Sequence, residues 1–185
     1  MKKIFALLLA VLMVVSLAAC SERSGETYGE VGTPLVDYFY ENSDQTAQEI
    51  ADALLKESVI SFMGMSMAVE EGYLSGFGNA EIKGFDEGVM FGPMIGTIPF
   101  IGYVFDLSEG TDADEFMQTL KDNADLRWNI CTEADELIVE KDGDKVIVIM
   151  TPESFEQEEE TDDNGNPLEG EVPVYGEDFV DEFAE

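Results

Sequence analysis

Residues 88–105 carry no charged side chain, and this stretch of 18 positions constrains the fold more than any other part of the chain. A transmembrane helix is one interpretation, and its packing face would consist of small residues at every fourth position, Gly88, Gly92 and Gly96. Pro93 and Pro99 oppose a helix, acidic residues flank both ends, and the Ile, Phe, Val, Tyr and Gly content favours strands. The stretch therefore predicts two adjacent strands buried on both faces, residues 88–95 and 98–107, with the prolines at an edge, bulge or turn.

The first predicted helix covers residues 44–58. Apolar residues recur at helical spacing and form one stripe, Ala47, Ile50, Ala51, Leu54 and Leu55. Thr46 and Glu49 have the spacing of a capping box, and Ser43 is a competing cap one turn earlier.

A second helix is predicted to begin at Thr111, with Asp114 completing its capping box. We expect it to end near residues 123–125. Its buried stripe would consist of four apolar side chains, Phe116, Met117, Leu120 and Ala124. Trp128 follows, and we expect it to cap the edge of the core, with Arg127 paired to a carboxylate; stacking on a ligand is the alternative.

Two further segments have the period of a strand. Residues 63–69 alternate methionine or valine with small or polar side chains, which indicates one buried face; an adaptable binding groove is the alternative role of the methionine row. Residues 136–151 read as a hairpin with turn residues at 141–144. These segments predict an α+β fold in which two helices pack on one face of a mostly antiparallel sheet of four to five strands.

The first twenty residues have the form of a secretory signal. Lys2 and Lys3 precede an apolar run of 14 residues, which is short for a membrane span and suits a signal peptide. These twenty residues end Leu17-Ala18-Ala19-Cys20, which resembles the lipobox of bacterial lipoproteins. The resemblance implies cleavage after residue 19, lipidation of Cys20 and attachment to the outer face of the cell membrane. An ordinary secretory signal with an incidental cysteine is the alternative.

Two internal segments carry a second resemblance. Residues 81–103, from Glu81-Ile82-Lys83-Gly84-Phe85 to Gly102-Tyr103, and the segment Leu126-Arg127-Trp128-Asn129-Ile130-Cys131-Thr132 resemble a family of small lipoproteins from clostridial-type Gram-positive bacteria. The resemblance spans about residues 46–151. That family has no known function, so it implies an extracytoplasmic, membrane-tethered domain and supplies no site residues.

Charge and residue usage exclude several function classes. The formal net charge is −32, and it would be −34 after cleavage before Cys20, which excludes nucleic acid as a partner. Attraction would be to cations or basic partners. The absence of histidine excludes histidine-dependent nucleophiles and histidine-ligated zinc. With Cys20 lipidated, Cys131 would have no disulfide partner, and we expect it to be a small buried hydrophobe.

The segments on either side of the predicted domain differ from it in composition. We expect residues 20–43 to be a tether and residues 44–152 to be the globular domain, with the apolar segment at 35–40 either packing on that domain or docking elsewhere; we favour packing. Residues 153–185 contain 14 acidic and no basic residues, which predicts a disordered acidic tail.

The acidic tail contains a weak calcium-loop candidate. If Gly165 aligns with the loop glycine, five oxygen-bearing residues take ligand positions, Glu160, Asp162, Asn164, Asn166 and Glu171. Glu160 is a poor first ligand, and Pro173 opposes an exiting helix. An acidic tail with chance spacing is the favoured interpretation, so we expect no cofactor, with calcium as the exception.

The sequence favours a membrane-anchored extracytoplasmic lipoprotein that is a non-enzymatic accessory or binding module. We expect the membrane lipid and an unidentified protein as its partners, and a monomer. The alternative is a cell-surface hydrolase that uses carboxylates alone. Its candidate acids, Asp86, Glu87 and Asp106, are better interpreted as solvated strand ends, so we assign no catalytic residue.

Overall fold

A computed structural model describes residues 24–129 and 131–155. It contains three helices, which we number α1 (Gly32–Glu41), α2 (Ala47–Leu54) and α3 (Ala113–Asn123). The strands are β1 (Gly64–Val69), β2 (Gly72–Tyr73), β3 (Glu81–Ile82), β4 (Phe85–Pro93), β5 (Ile101–Leu107), β6 (Glu136–Asp142) and β7 (Lys145–Thr151).

The main sheet has five antiparallel strands in the order β1-β4-β5-β7-β6, and β2 pairs with β3 in a separate hairpin. The uncharged stretch supplies most of β4 and β5, which pair as neighbours inside the sheet. Pro93 ends β4 and Pro99 precedes β5, where neither interrupts the ladder. No helix in the described part of the chain is long and apolar enough to cross a membrane. The α+β class and the central strand pair are confirmed.

Helices cover both faces of the sheet. One core cluster joins α1 and α2 to side chains such as Val104 and Ile147, and the other joins α3 to alternate side chains such as Phe105 and Val148. Successive strand residues point to opposite faces, so each central strand contributes to both clusters. Two helices do share one face, but they are α1 and α2. The predicted pair, α2 and α3, lies on opposite faces.

Helix α1 lies within the predicted tether, so that prediction is wrong for this segment. Its apolar side chains Leu35, Val36 and Phe39 are fully buried, which confirms that the segment at 35–40 packs on the domain. Upstream of it, the Gly29 amide donates to Glu136 on β6 at 2.8 Å. The folded domain therefore begins well before residue 44.

The predicted cap of α2 is confirmed. Thr46 accepts a hydrogen bond from the Glu49 amide, and the Glu49 carboxylate accepts one from the Thr46 amide. These backbone and hydroxyl donors hold the pKa of Glu49 below its usual range. The helix is shorter than predicted, since it covers Ala47–Leu54 rather than residues 44–58.

The cap of α3 is Asp112 rather than Thr111. The Asp112 carboxylate accepts from the amides of Asp114 and Glu115. A charged acceptor at this position also interacts favourably with the helix dipole, so Asp112 caps the helix in preference to the Thr111 hydroxyl. The end of the helix at Asn123 and the burial of Phe116 and Leu120 agree with the prediction.

The predicted hairpin is present as β6 and β7. Asp142 pairs with Lys145 across a two-residue loop, and Gly143 in that loop has φ +64°, a conformation that favours glycine. The C-terminal boundary differs from the prediction. The carbonyl of Glu153 accepts from the Val31 amide at 3.4 Å, and the Phe155 ring packs against Phe62. The domain thus extends to residue 155 at least.

Candidate binding surface

One end of the sheet is uncovered on the face that α3 occupies. Helix α3 contacts β6 and β7, which are at the opposite end of the sheet from β1. Met65 and Met67 on β1 are 36% and 45% exposed, and Met63 just before the strand is 78% exposed. The expectation that this methionine row fills the core is therefore wrong.

The exposed side chains continue from β1 to the loop after β4. The Met94 amide donates to the Met63 carbonyl at 3.0 Å, which places the start of β1 beside the end of β4. Met94 and Ile95 are also exposed. We call this set the methionine surface: Met63, Met65, Met67, Met94 and Ile95. Large apolar side chains grouped on a surface typically mark a site of interaction, and methionine adapts to varied partners.

The opposite face of β1 carries Gly64, Ser66 and Ala68 and is held against α2. The Ser66 hydroxyl donates to Oδ1 of Asp52 at 2.5 Å and accepts from Nε2 of Gln48 at 2.7 Å. A Cβ atom on Gly64 would collide with the side chain of Leu55, so the strand and the segment after α2 approach closely there. These contacts fix which face of β1 the methionines occupy.

The outer edge of β1 has none of the usual protections of an edge strand. The strand has the sequence Gly-Met-Ser-Met-Ala-Val, without a charge or a proline, and its six residues pair with β4 without a bulge. Natural edge strands are commonly blocked by lysine, proline or bulges. Within the described ranges, no other strand pairs with this edge.

The other edge of the sheet carries a buried carboxylate cluster. Glu140 on β6 is only 2% exposed, and its Oε1 accepts from Tyr28 Oη at 2.5 Å and from Ser24 Oγ. Its Oε2 accepts from Tyr40 Oη at 2.7 Å. Burial, followed by the bond to Glu140, raises the pKa of Tyr28 above its ordinary range.

This cluster, Glu140 with Ser24, Tyr28 and Tyr40, anchors the chain before and within α1 to β6. Glu136 lies on the same face of β6, and Gly29 and Gly32 leave room for its Oε2. Oε2 of Glu136 is buried and has no hydrogen-bond partner in the described part of the molecule. The hydroxyl donors occupy both oxygens of Glu140, so this cluster is better explained as a structural contact than as a catalytic group.

Two of the three candidate acids of the hydrolase alternative, Asp86 and Asp106, have structural contacts. Asp106 forms an ion pair with Lys145, which is almost fully buried. Asp86 accepts a hydrogen bond from Ser108 at 2.5 Å. The hydrolase alternative stays a prediction. Among the described residues, no group of three or more Asp, Glu or Cys side chains is placed to hold a metal ion.

A cavity of about 310 Å³ lies beside the start of α3. Its lining is polar, with both acidic and basic side chains, Lys83, Gly110, Thr111, Asp112, Glu115, Phe116 and Thr119. Asp112 already accepts from the free amides of the helix, and Lys83 pairs with Glu81 at 2.5 Å. The donors that would attract an anion are therefore engaged with carboxylates.

The remaining predicted residues have different outcomes. Cys20 and the calcium-loop candidates Glu160, Asp162, Asn164, Asn166 and Glu171 lie outside the described residues. Cys131 is exposed, so its expected burial is wrong. Trp128 packs partly against the core, and Arg127 pairs with Glu133 at 3.5 Å, as expected.

Comparison with known proteins finds no matching family model, no matching curated protein and no matching solved structure.

Proposed function

We propose that this protein is a lipoprotein anchored to the outer face of the cell membrane and that its domain is a non-enzymatic binding module. The methionine surface beside the open edge of β1 is the observation that carries the binding role. An exposed apolar group next to unpaired strand backbone offers both contact area and hydrogen bonds to a partner. The resemblance of residues 17–20 to a lipobox supports the anchor.

The carboxylate cluster limits the distance between the domain and the proposed lipid anchor. Ser24 bonds to Glu140, and Cys20 lies only four positions before Ser24. A fully extended chain of four residues spans about 14 Å. A lipid on Cys20 would therefore keep the domain next to the membrane surface, where a partner in or near the membrane could be reached.

The anchor is tested by mass spectrometry of the protein purified from the membrane fraction of its own cells. The proposal predicts an N-terminal Cys20 that carries acyl chains, and loss of Cys20→Ser protein from that fraction. An unmodified Cys20 in the membrane fraction would contradict the anchor and leave the binding role to its own test.

The binding role is tested by cross-linking in the same cells. A photoreactive amino acid replaces Met67 on the methionine surface or, as a control, exposed Asn123 on α3. The proposal predicts a defined cross-linked partner from position 67 and none from position 123. Identical cross-linking from both positions would show that β1 has no special role in binding.

A further inference from the structure

The open edge of β1 has the properties of a site for one more strand. We infer that β1 binds an extended segment of a partner protein as a sixth strand of the sheet, and that this segment alternates apolar and basic residues. The inference deepens the proposed binding role and does not depend on the lipid anchor.

The two edges of the sheet differ in how they are protected. Strand β6 carries charged side chains, and Gly29 and Tyr28 from the segment before α1 bond to Glu136 and Glu140 on it. Strand β1 is uncharged along its whole length. An edge strand leaves alternate amide and carbonyl groups unpaired, and these groups bind an added strand through main-chain hydrogen bonds. Backbone pairing is therefore available at β1.

The register of β1 predicts the apolar half of the pattern. Met65 and Met67 point to the uncovered face, and they pair with Gly92 and Met90 of β4. In an added strand, the residues opposite Met65 and Met67 would lie on that same face. Apolar side chains at those positions would cover the methionines.

The polar half of the pattern follows from the other face of β1. Residues of the added strand beside Ser66 would lie on the face where Asp52 bonds to Ser66. Glu70 follows the last residue of β1 directly and is exposed. Basic side chains beside these carboxylates would gain electrostatic attraction, and the net charge of −32 would steer a basic segment to the protein.

Charge also favours a basic segment over three other possible occupants of the β1 edge. A second copy would bring another net charge of −32, and an anionic bilayer would be repelled in the same way. The C-terminal residues 156–185 contain 13 acidic and no basic residues. Each of these occupants would bring further negative charge to an acidic protein, which a basic segment does not.

The test uses the purified full chain, in phosphatidylcholine nanodiscs if it carries a lipid and in buffer if it does not, and a fluorescent peptide of eight residues that alternates lysine and valine. Empty nanodiscs supply the blank. Matched peptides carry glutamate in place of every lysine, or proline in place of a central valine. We expect the lysine peptide to bind at least about tenfold more tightly than either matched peptide. The glutamate peptide loses charge attraction, and the proline peptide loses backbone pairing. Added salt should weaken its binding.

Variants locate the binding site. Met65→Lys with Met67→Lys should weaken binding of the lysine peptide by about tenfold or more, since both replace apolar contact with like charge. Met67→Gln should weaken it less. Asn123→Lys adds a single positive charge on α3, against two in the double variant, and should leave affinity unchanged. A thermal melt of each variant establishes that it is folded. If the double variant is not folded, the affinity of Met67→Gln provides the test instead.

Four results would overturn the inference. The first is that the lysine peptide does not bind, and the second is that the glutamate peptide binds equally well. The third is that the Asn123→Lys variant loses as much affinity as the double variant. The fourth is a dimer of the protein without peptide that Met65→Lys with Met67→Lys dissociates, because that would identify a second copy as the occupant.

Discussion

The hydroxyl of Ser66 on β1 lies 2.5 Å from Oδ1 of Asp52 on α2 and donates a hydrogen bond to it. Gln48 completes the contact, because its Nε2 donates both to Ser66 and to Asp52. This polar contact lies on the face of β1 that packs toward α2. The alternation of a strand then turns Met65 and Met67 to the uncovered face.

Ser66→Ala should lower the free energy of unfolding by about 1–2 kcal/mol, because Asp52 loses a hydrogen bond to its carboxylate. Urea unfolding followed by circular dichroism measures the change. Ser61→Ala, at an exposed position before β1, is the matched control and should be neutral. Equal stability of the two variants would show that the contact to Asp52 does not hold β1 in place.

Gly32→Ala should destabilise the domain by about 1–3 kcal/mol, since the added methyl group would collide with Ile138 and Tyr28 where α1 meets β6. Gly96→Ala adds the same methyl group at an exposed position with open space around it. Thermal melts of both variants test the difference. A Gly32→Ala protein as stable as Gly96→Ala would contradict the close packing of α1.

Glu140→Gln should cost about 1–3 kcal/mol of stability, because three hydroxyl groups lose a charged acceptor. Glu133→Gln is the control, since the contact of Glu133 within the described residues is an exposed ion pair with Arg127, and such pairs contribute little. Urea unfolding compares the two. Amide exchange at Gly29 should also accelerate in Glu140→Gln, and unchanged exchange would show that residues 24–29 do not depend on Glu140.

Stability should fall as the pH rises above about 10, where tyrosine ionises in the unfolded chain. Burial and the bond to Glu140 raise the pKa of Tyr28 in the folded state, and burial raises that of Tyr103. The folded protein then keeps protons that the unfolded chain loses, so alkaline pH favours unfolding. Tyr28→Phe should reduce this loss, whereas Tyr73→Phe at an exposed position should not. Identical pH profiles for both variants would contradict the assignment to Tyr28.

Local signals in the sequence predicted several elements correctly. The capping box at Thr46 and Glu49 and the turn residues around Gly143 specify structure through neighbours in the chain. Helix α1 had such a signal as well, because Leu35 and Phe39 are one helical turn apart and Val36 extends the same stripe. The residues around α1 have the composition of a linker, which favoured the prediction of a tether. In addition, α1 has no side-chain N-cap to mark its start.

The candidate surface was not predictable from β1 alone. Alternation shows that Met65 and Met67 share one face, and hydrophobicity then favours burial of that face. The outcome depends instead on distant residues, since α2 packs against Ser66 and α3 covers the far end of the sheet. The placement of β1 at an edge likewise depends on long-range pairing, which no local pattern encodes.

Amide hydrogen exchange along β1 tests the central claim most directly. The purified full chain, in nanodiscs or buffer as in the peptide-binding test, is compared with and without the alternating lysine–valine peptide. The account predicts that the amides of Gly64–Val69 that do not bond to β4 exchange rapidly alone and become protected on binding, while amides of β6 are unchanged. Protection at β6 or α3 without protection at β1, or β1 amides already protected without peptide, would contradict it.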